Sequence, residues 1–225
     1  RRQRQMCIRD RNMKKENGQN PILNYIKNSN ADIVCMQEYA GSETAKIHLS
    51  NKEIRQALKD YPYHNIKQVG KTGAGSQLAC YSKFPILSAR MLDYRSNYNG
   101  SMVYEIKIGK DTVLLINNHL ESNKLTREDK VVYEDMLKDP KAGKVKSGVR
   151  QLVNKLAESS AIRSAQARTI AQEIAHSPYP SVIVCGDFND SPISYAHRVI
   201  SQDMDDAFTE SGCGLGISYL SLIHI

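Results

Sequence analysis

The stretch from Pro180 to Pro192, PSVIVCGDFNDSP, constrains this chain more than any other, because it runs an uninterrupted apolar segment straight into a cluster of polar residues. Val182 to Cys185 shows no alternation of polar and apolar positions. A strand covered on both faces needs none, which points to the interior of an α/β protein. Gly186 breaks the run. Asp187 and Asn189 follow two residues apart, so an extended backbone would aim a carboxylate and a carboxamide to the same side of the strand end. Ligand sites in open α/β sheets lie beyond the carboxyl ends of strands, which is where this pair falls. The same residues also suit a plain turn before Pro192, and this string alone leaves the two readings level.

The rest of the chain breaks the tie. Ala31 to Glu38, ADIVCMQE, is a second apolar strand ending in a carboxylate, and the strand around Thr112 to Ile116 runs on into Asn117 and His119. Three strand ends carrying Glu38, then Asn117 and His119, then Asp187 and Asn189, suggest one site at a sheet edge. These residue types can bind an oxygen-preferring cation, orient a phosphate and move a proton. Mg²⁺ takes few protein carboxylates and several waters, so Glu38 alone would serve as its anchor.

Between these ends, Pro21 is expected to open a helix that stops at Asn28 to Asn30, and His48 to Leu58 to form another. Strands are expected at Tyr61 to Ile66, Gln77 to Ser82, Ile86 to Asp93 and Met102 to Ile108, the last pairing with the next through a turn at Gly109 to Asp111. Glu121 to His176 reads as helical and charged, broken at Lys138 to Gly143. Val149, Leu152, Val153, Leu156, Ala167, Ile170, Ala171 and Ile174 give it an apolar face, and its Arg and Lys residues read as a solvated outer face. A helix at Ile193 to Ile200 and a strand near Met204 to Phe208 complete the pattern.

The 225 residues suit one domain. No apolar run is long enough to span a bilayer, and the start lacks the apolar core of a signal peptide. Both ends look foreign. Arg1 to Arg11, RRQRQMCIRDR, resembles a translated transposase-end sequencing adapter, and Leu220 to Ile225, LSLIHI, the same adapter reversed: CAGATGTGTATAAGAGAC encodes Gln5 to Asp10 with AG beginning the Arg11 codon, and the reverse complement of the two together, read in a shifted frame, begins CTG TCT CTT ATA CAC ATC. The native part would then run from about Asn12 to Tyr219. Of the formal charge of +7, Arg1 to Arg11 holds +4, leaving +3 for the body. That excess is weak support for a nucleic-acid partner. Cys35, Cys80, Cys185 and Cys213 lack metal-type spacing, and the first three sit in apolar runs, so buried free thiols are expected.

ADIVCMQE, LLINNHLES, the helix with Arg163 and Gln166, and VIVCGDFNDSP, in this order and spacing, resemble the endonuclease/exonuclease/phosphatase superfamily, with its deoxyribonuclease-like fold. The resemblance covers Pro21 to Tyr219. It implies a four-layer α/β sandwich, two mixed β-sheets packed face to face with helices on both outer sides. It implies metal-dependent hydrolysis of phosphoesters, with Mg²⁺ or Mn²⁺ at Glu38, and Asn117 beside the substrate. His119 would contact the phosphate or donate a proton, Asp187 orient or activate water, and Asn189 hold phosphate or nucleophile. The expected activity is that of a general phosphodiesterase or phosphatase, with nuclease as the leading specific activity. A phosphorylated small molecule or a lipid headgroup is the alternative substrate to nucleic acid, and a dead binding module of the same fold is the rival from another class. A monomer is expected. The family's opening Asn and closing Asp-His pair are absent. Asn12 and His224 lie at or within the foreign ends and receive no role, and the chain as written is expected to be inactive. Hydrophobic spans upstream in the parent would mean a membrane tether.

Overall fold

A computed structural model describes residues 20–39, 49–70, 76–94, 96–126, 128, 129, 131 and 143–212. The adapter-like ends, Asn12, His224, His48, Cys213 and most of the glycine-rich turn at 71–75 lie outside these residues. The chain forms two compact units. The first draws on Arg2–Leu120 and Gln172–Phe188, and the second chiefly on Glu121–Ala171 and Asn189–Ile225.

The first unit holds both sheets. Strands β1 (Ile33–Met36), β2 (Tyr63–Gln68) and β3 (Gln77–Ser82) pair in the order β1-β3-β2, all antiparallel. Strands β4 (Ile86–Met91), β5 (Gly100–Ile108), β6 (Asp111–His119) and β7 (Ser181–Asp187) pair in sequence order, antiparallel except for the parallel β6–β7 pair. The second sheet is therefore mixed. The β5–β6 hairpin is longer than the alternation predicts, and its tight turn places Gly109 at φ +62, a backbone state that glycine adopts without a steric penalty.

The sheets pack through Leu78 and Cys80 on one side and Met102, Tyr104, Ile106, Leu115 and Cys185 on the other. Most of these side chains are wholly shielded from water, each contributing roughly 1.5–3 kcal/mol to stability. Cys35, Cys80 and Cys185 are free thiols, as expected. Hydrogen bonding to the Cys185 and Cys80 thiols, with burial, holds the Cys35 thiol well above its ordinary range. The outer face of the three-stranded sheet carries Met36, Ala79 and Tyr81, which pack with Ile26 of α1 (Pro21–Ser29) and Ile54 of α2 (Asn51–Ala57). Asn20 caps α1 through its side chain, with Pro21 at the first helical position, and Ser50 and Glu53 form a capping box on α2.

The second unit is helical. Its main element is α3 (Gly143–Ala175), whose last residues belong to the first unit, followed by α4 (Tyr195–Ile200) and α5 (Ala207–Ser211). Three expectations fail here, the first being a helix from Glu121, since residues 121–126 form none. The segment 204–208 forms no strand: Asp203, Asp205 and Asp206 disfavour one, and the Asp206 carbonyl accepts from Glu210 N–H to start α5. The buried face of α3 is also not all apolar. Leu152, Ala167 and Ile170 are buried, but so are Ser159, Arg163 and Gln166, while Val153 is exposed. No helix among the described residues is long and apolar enough to cross a membrane.

Candidate active site

Parallel pairing of β6 with β7 sets Asn117 opposite Cys185, Asn118 opposite Gly186 and His119 opposite Asp187. Directly opposed residues share a face of the sheet, so His119 and Asp187 stand side by side at its carboxyl edge. Leu120 N–H donates to the Asp187 carbonyl (2.9 Å), one residue beyond the paired strands. Gly186 makes this closeness possible. Its φ is +143, and a Cβ there would lie 2.1 Å from the Asn118 carbonyl oxygen. Asn118 itself points to the other face, where its Oδ1 accepts from Ser101 Oγ (2.6 Å) and its Nδ2 donates to the Cys185 carbonyl (3.2 Å).

Asn117 ties this edge to the end of β1. It is fully buried; its Nδ2 donates to the carbonyls of Met36 (3.4 Å) and Ala79 (3.3 Å), and its Oδ1 accepts from Gln37 Nε2 (2.6 Å). Both ends of the Asn117 amide are thus engaged by the protein. Its partners Met36 and Gln37 immediately precede Glu38. β1 stops at Met36, Glu38 takes φ +51, and Tyr39 N–H returns to the Gln77 carbonyl (2.9 Å). A non-glycine residue in that region is strained, and such strain gathers at functional sites. The turn leaves the Glu38 side chain about a third exposed (34%), with Oε1 3.9 Å from His119 Nε2.

His119 is almost wholly buried, and its Nδ1 lies 3.0 Å from Ser76 Oγ. Ser76 Oγ is also within hydrogen-bond distance of the Tyr98 carbonyl (3.1 Å), to which it can donate. With Nδ1 beside Ser76, the ring turns Nε2 toward Glu38. Ser76 is the residue that sequence reasoning missed. Only its place after a glycine-rich turn sets it apart.

Asn189 belongs to the second unit. The strand ends at Asp187 and Asn189 sits at φ +50, so the two-residue period does not carry beyond Asp187. In the same unit, Asp190 Oδ2 accepts from Arg163 Nε (3.0 Å) and Asp190 Oδ1 from Ser191 N–H (2.9 Å). Arg163, which reads in the sequence as part of a solvated face, is 4% exposed.

No group of three or more His, Cys, Asp or Glu among the described residues is arranged to hold a metal ion. A closed cage of the zinc kind is therefore not what this edge offers. One partly exposed carboxylate at Glu38 fits a hard cation that keeps most of its waters, as Mg²⁺ does. Beside it, the fully buried Gln37 leaves its Oε1 without a hydrogen-bond partner, an acceptor one residue from that carboxylate.

Known proteins bear on this geometry at two levels. The fold resembles that of sphingomyelinase C from Streptomyces griseocarneus (18% identity, TM-score 0.51, covering 80% of this chain and 61% of that one). It also resembles a Staphylococcus aureus beta toxin variant with bound magnesium ions (17% identity, TM-score 0.52, 80% and 60%). The chain thus spans about three-fifths of the solved structures it matches. At this identity the likeness establishes the architecture, an α/β sandwich with two sheets face to face. No curated protein matches the sequence. The sequence profile of the Endonuclease/Exonuclease/phosphatase family, however, matches residues 12–219. A match over nearly the whole length, on a fold whose strand ends bring Glu38, His119 and Asp187 to one edge, establishes that the chain belongs to the Endonuclease/Exonuclease/phosphatase family.

Proposed function

We propose that the protein is a Mg²⁺-assisted hydrolase of phosphoester bonds, with the edge formed by β1, β6 and β7 as its active site. The observation that carries this reading is the placement of His119, in register with Asp187 and 3.9 Å from Glu38. Glu38 would hold the cation, and Mn²⁺ would substitute for it. When bound, the ion would neutralise charge on the phosphoryl oxygens. Asp187 orients the attacking water or accepts its proton, and His119, with Nδ1 pinned by Ser76, delivers a proton from Nε2 to a phosphoryl or leaving oxygen. Asn117 keeps the β1 end against β6. Asn189 is assigned to the phosphate or nucleophile from the Gly-Asp-Phe-Asn motif alone.

The reading extends to the phosphoester bond and leaves the group beyond it open between nucleic acid, phosphorylated small molecules and lipid headgroups. The magnesium bound by the beta toxin neighbour supports the choice of cation by analogy. The test is Asp187→Ala in the full-length protein, assayed on bis(4-nitrophenyl) phosphate with Mg²⁺. A positioned acid or base contributes roughly 10²–10⁴-fold, so kcat should fall by at least 10²-fold and recover with neither Mg²⁺ nor Mn²⁺ in excess. Hydrolysis that is absent in the unaltered protein, or indifferent to the substitution, would sink the assignment. Single-stranded DNA, a phosphocholine diester and an inositol phosphate in parallel would separate the substrate classes.

A further inference from the structure

Arg163 stands in the body of α3, and taking a guanidinium out of water costs several kcal/mol unless its charge and donors are matched. They are matched by two separate stretches of chain. Its Nε donates to Asp190 Oδ2 (3.0 Å), while its Nη1 donates to the Glu121 carbonyl (2.9 Å) and to Asn123 Oδ1 (2.7 Å). Gln166, three residues further along the helix, accepts from Glu121 N–H at its Oε1 (2.9 Å). Both backbone groups of Glu121 are therefore held by side chains of α3.

The positions of these anchors give them meaning. Glu121 is the second residue after His119, and Asp190 immediately follows Asn189. One planar cation thus fastens the continuation of β6 and the continuation of β7, the stretches that leave the strand ends carrying His119 and Asp187. A helix whose buried face served packing alone would place an aliphatic residue there. A guanidinium matched on two edges instead fixes direction as well as distance, because its donors lie in a rigid fork.

We propose that Arg163 is a positioning residue for phosphoester hydrolysis, holding the segments that follow His119 and Asn189 in the geometry the reaction needs. This rests on the hydrolase reading above. A displacement of about 1 Å at a reacting group can lower a rate 10²-fold without altering ground-state affinity, so the role predicts an effect on kcat rather than KM.

Arg163→Lys in the full-length protein keeps the charge but loses the fork. We expect kcat on bis(4-nitrophenyl) phosphate to fall at least about tenfold with KM within about twofold. Hydrogen exchange at the Glu121 and Ser191 amides should quicken about tenfold or more, while the amides of Tyr104 and Leu115 stay as they are. For Arg163→Ala, added guanidinium ion should restore part of the lost kcat. Leu152→Ala, on the same helix face but outside the network, controls for simple loss of stability.

A kcat that survives Arg163→Lys, unchanged exchange at Glu121 and Ser191, or an equal kcat loss in Leu152→Ala would each overturn the positioning role. If hydrolysis in the unaltered protein does not depend on Asp187, the hydrolase reading has failed and this proposal falls with it. If hydrolysis depends on Asp187 but not on the fork of Arg163, only the positioning role is lost.

Discussion

The two units bury polar groups in different ways. In the first, the core between the sheets is apolar, and polar side chains gather where the strands run out: Gln37 after β1, then Asn117, Asn118 and His119 at the end of β6. The three amides are neutral, and the asparagines are bonded at both ends of the amide. In the second unit, three buried polar residues sit mid-helix, Ser159, Arg163 and Gln166 between Leu152 and Ile170 on one buried face, and the link from Arg163 to Asp190 is ionic. A neutral lattice at a strand end fixes register. A charged fork on a helix gathers loops.

The largest effect should come from the tightest point of the neutral lattice. Gly186→Ala would combine a φ of +143 with a Cβ 2.1 Å from the Asn118 carbonyl, so either β7 shifts or the pairing of His119 with Asp187 opens. We expect a loss of more than about 3 kcal/mol, read by urea unfolding. A loss under about 1 kcal/mol would mean that β6 and β7 do not approach as closely as the register requires.

A smaller pair of changes sets the units against each other. Asn117→Ala strands the Gln37 amide and removes the donor to the Met36 and Ala79 carbonyls, for an expected loss of about 2–4 kcal/mol. Gln166→Ala removes one bond, to Glu121 N–H, and a buried Nε2 that has no partner, so about 1–2 kcal/mol is expected. Equal losses in denaturant titrations would erase the distinction between lattice and clamp.

The same contrast explains what the sequence disclosed. A strand that turns polar at its end announces the change in its own string, which is why Glu38, His119 and Asp187 were legible as one edge before any coordinates. The β5–β6 hairpin followed from alternation, and the first two helices from Pro21 and apolar residues at helical spacing. Arg163 was not legible as a buried residue, because helical period places it without saying whether water or protein covers that face. Ser76 was hidden for another reason: its partner His119 lies 43 positions along the chain, and nothing local marks a serine that will meet a histidine. Asn117 was placed beside the substrate from the Asn-x-His-Leu motif, and the string did not disclose that both ends of its amide are bound by protein.

Ionic contacts in the second unit should also respond to acid where the neutral lattice does not. Asp129 is held by Lys155, whose Nζ lies 2.9 and 2.7 Å from its carboxylate oxygens, and by Thr126 N–H at 2.7 Å. The Lys155 ammonium first, then the Thr126 backbone, keep the Asp129 carboxyl below its ordinary value of 3.8. A carboxylate whose folded pKa is depressed stabilises the fold above the unfolded value, and that contribution disappears as pH falls through the folded one. Between pH 5 and 8 the contact should therefore be constant, weakening only below about pH 4. A carbon-detected titration of the Asp129 carboxyl should give a midpoint below 3.8, and Lys155→Met should move it upward, while the amide signals of Asn117 and Asn118 hold still through the same range. The effect on unfolding should be the smallest of those named here, because the Lys155 side chain is 40% exposed and water screens the pair. A midpoint at or above 3.8 in the unaltered protein would remove the charge from this contact and with it the clearest chemical difference between the two units.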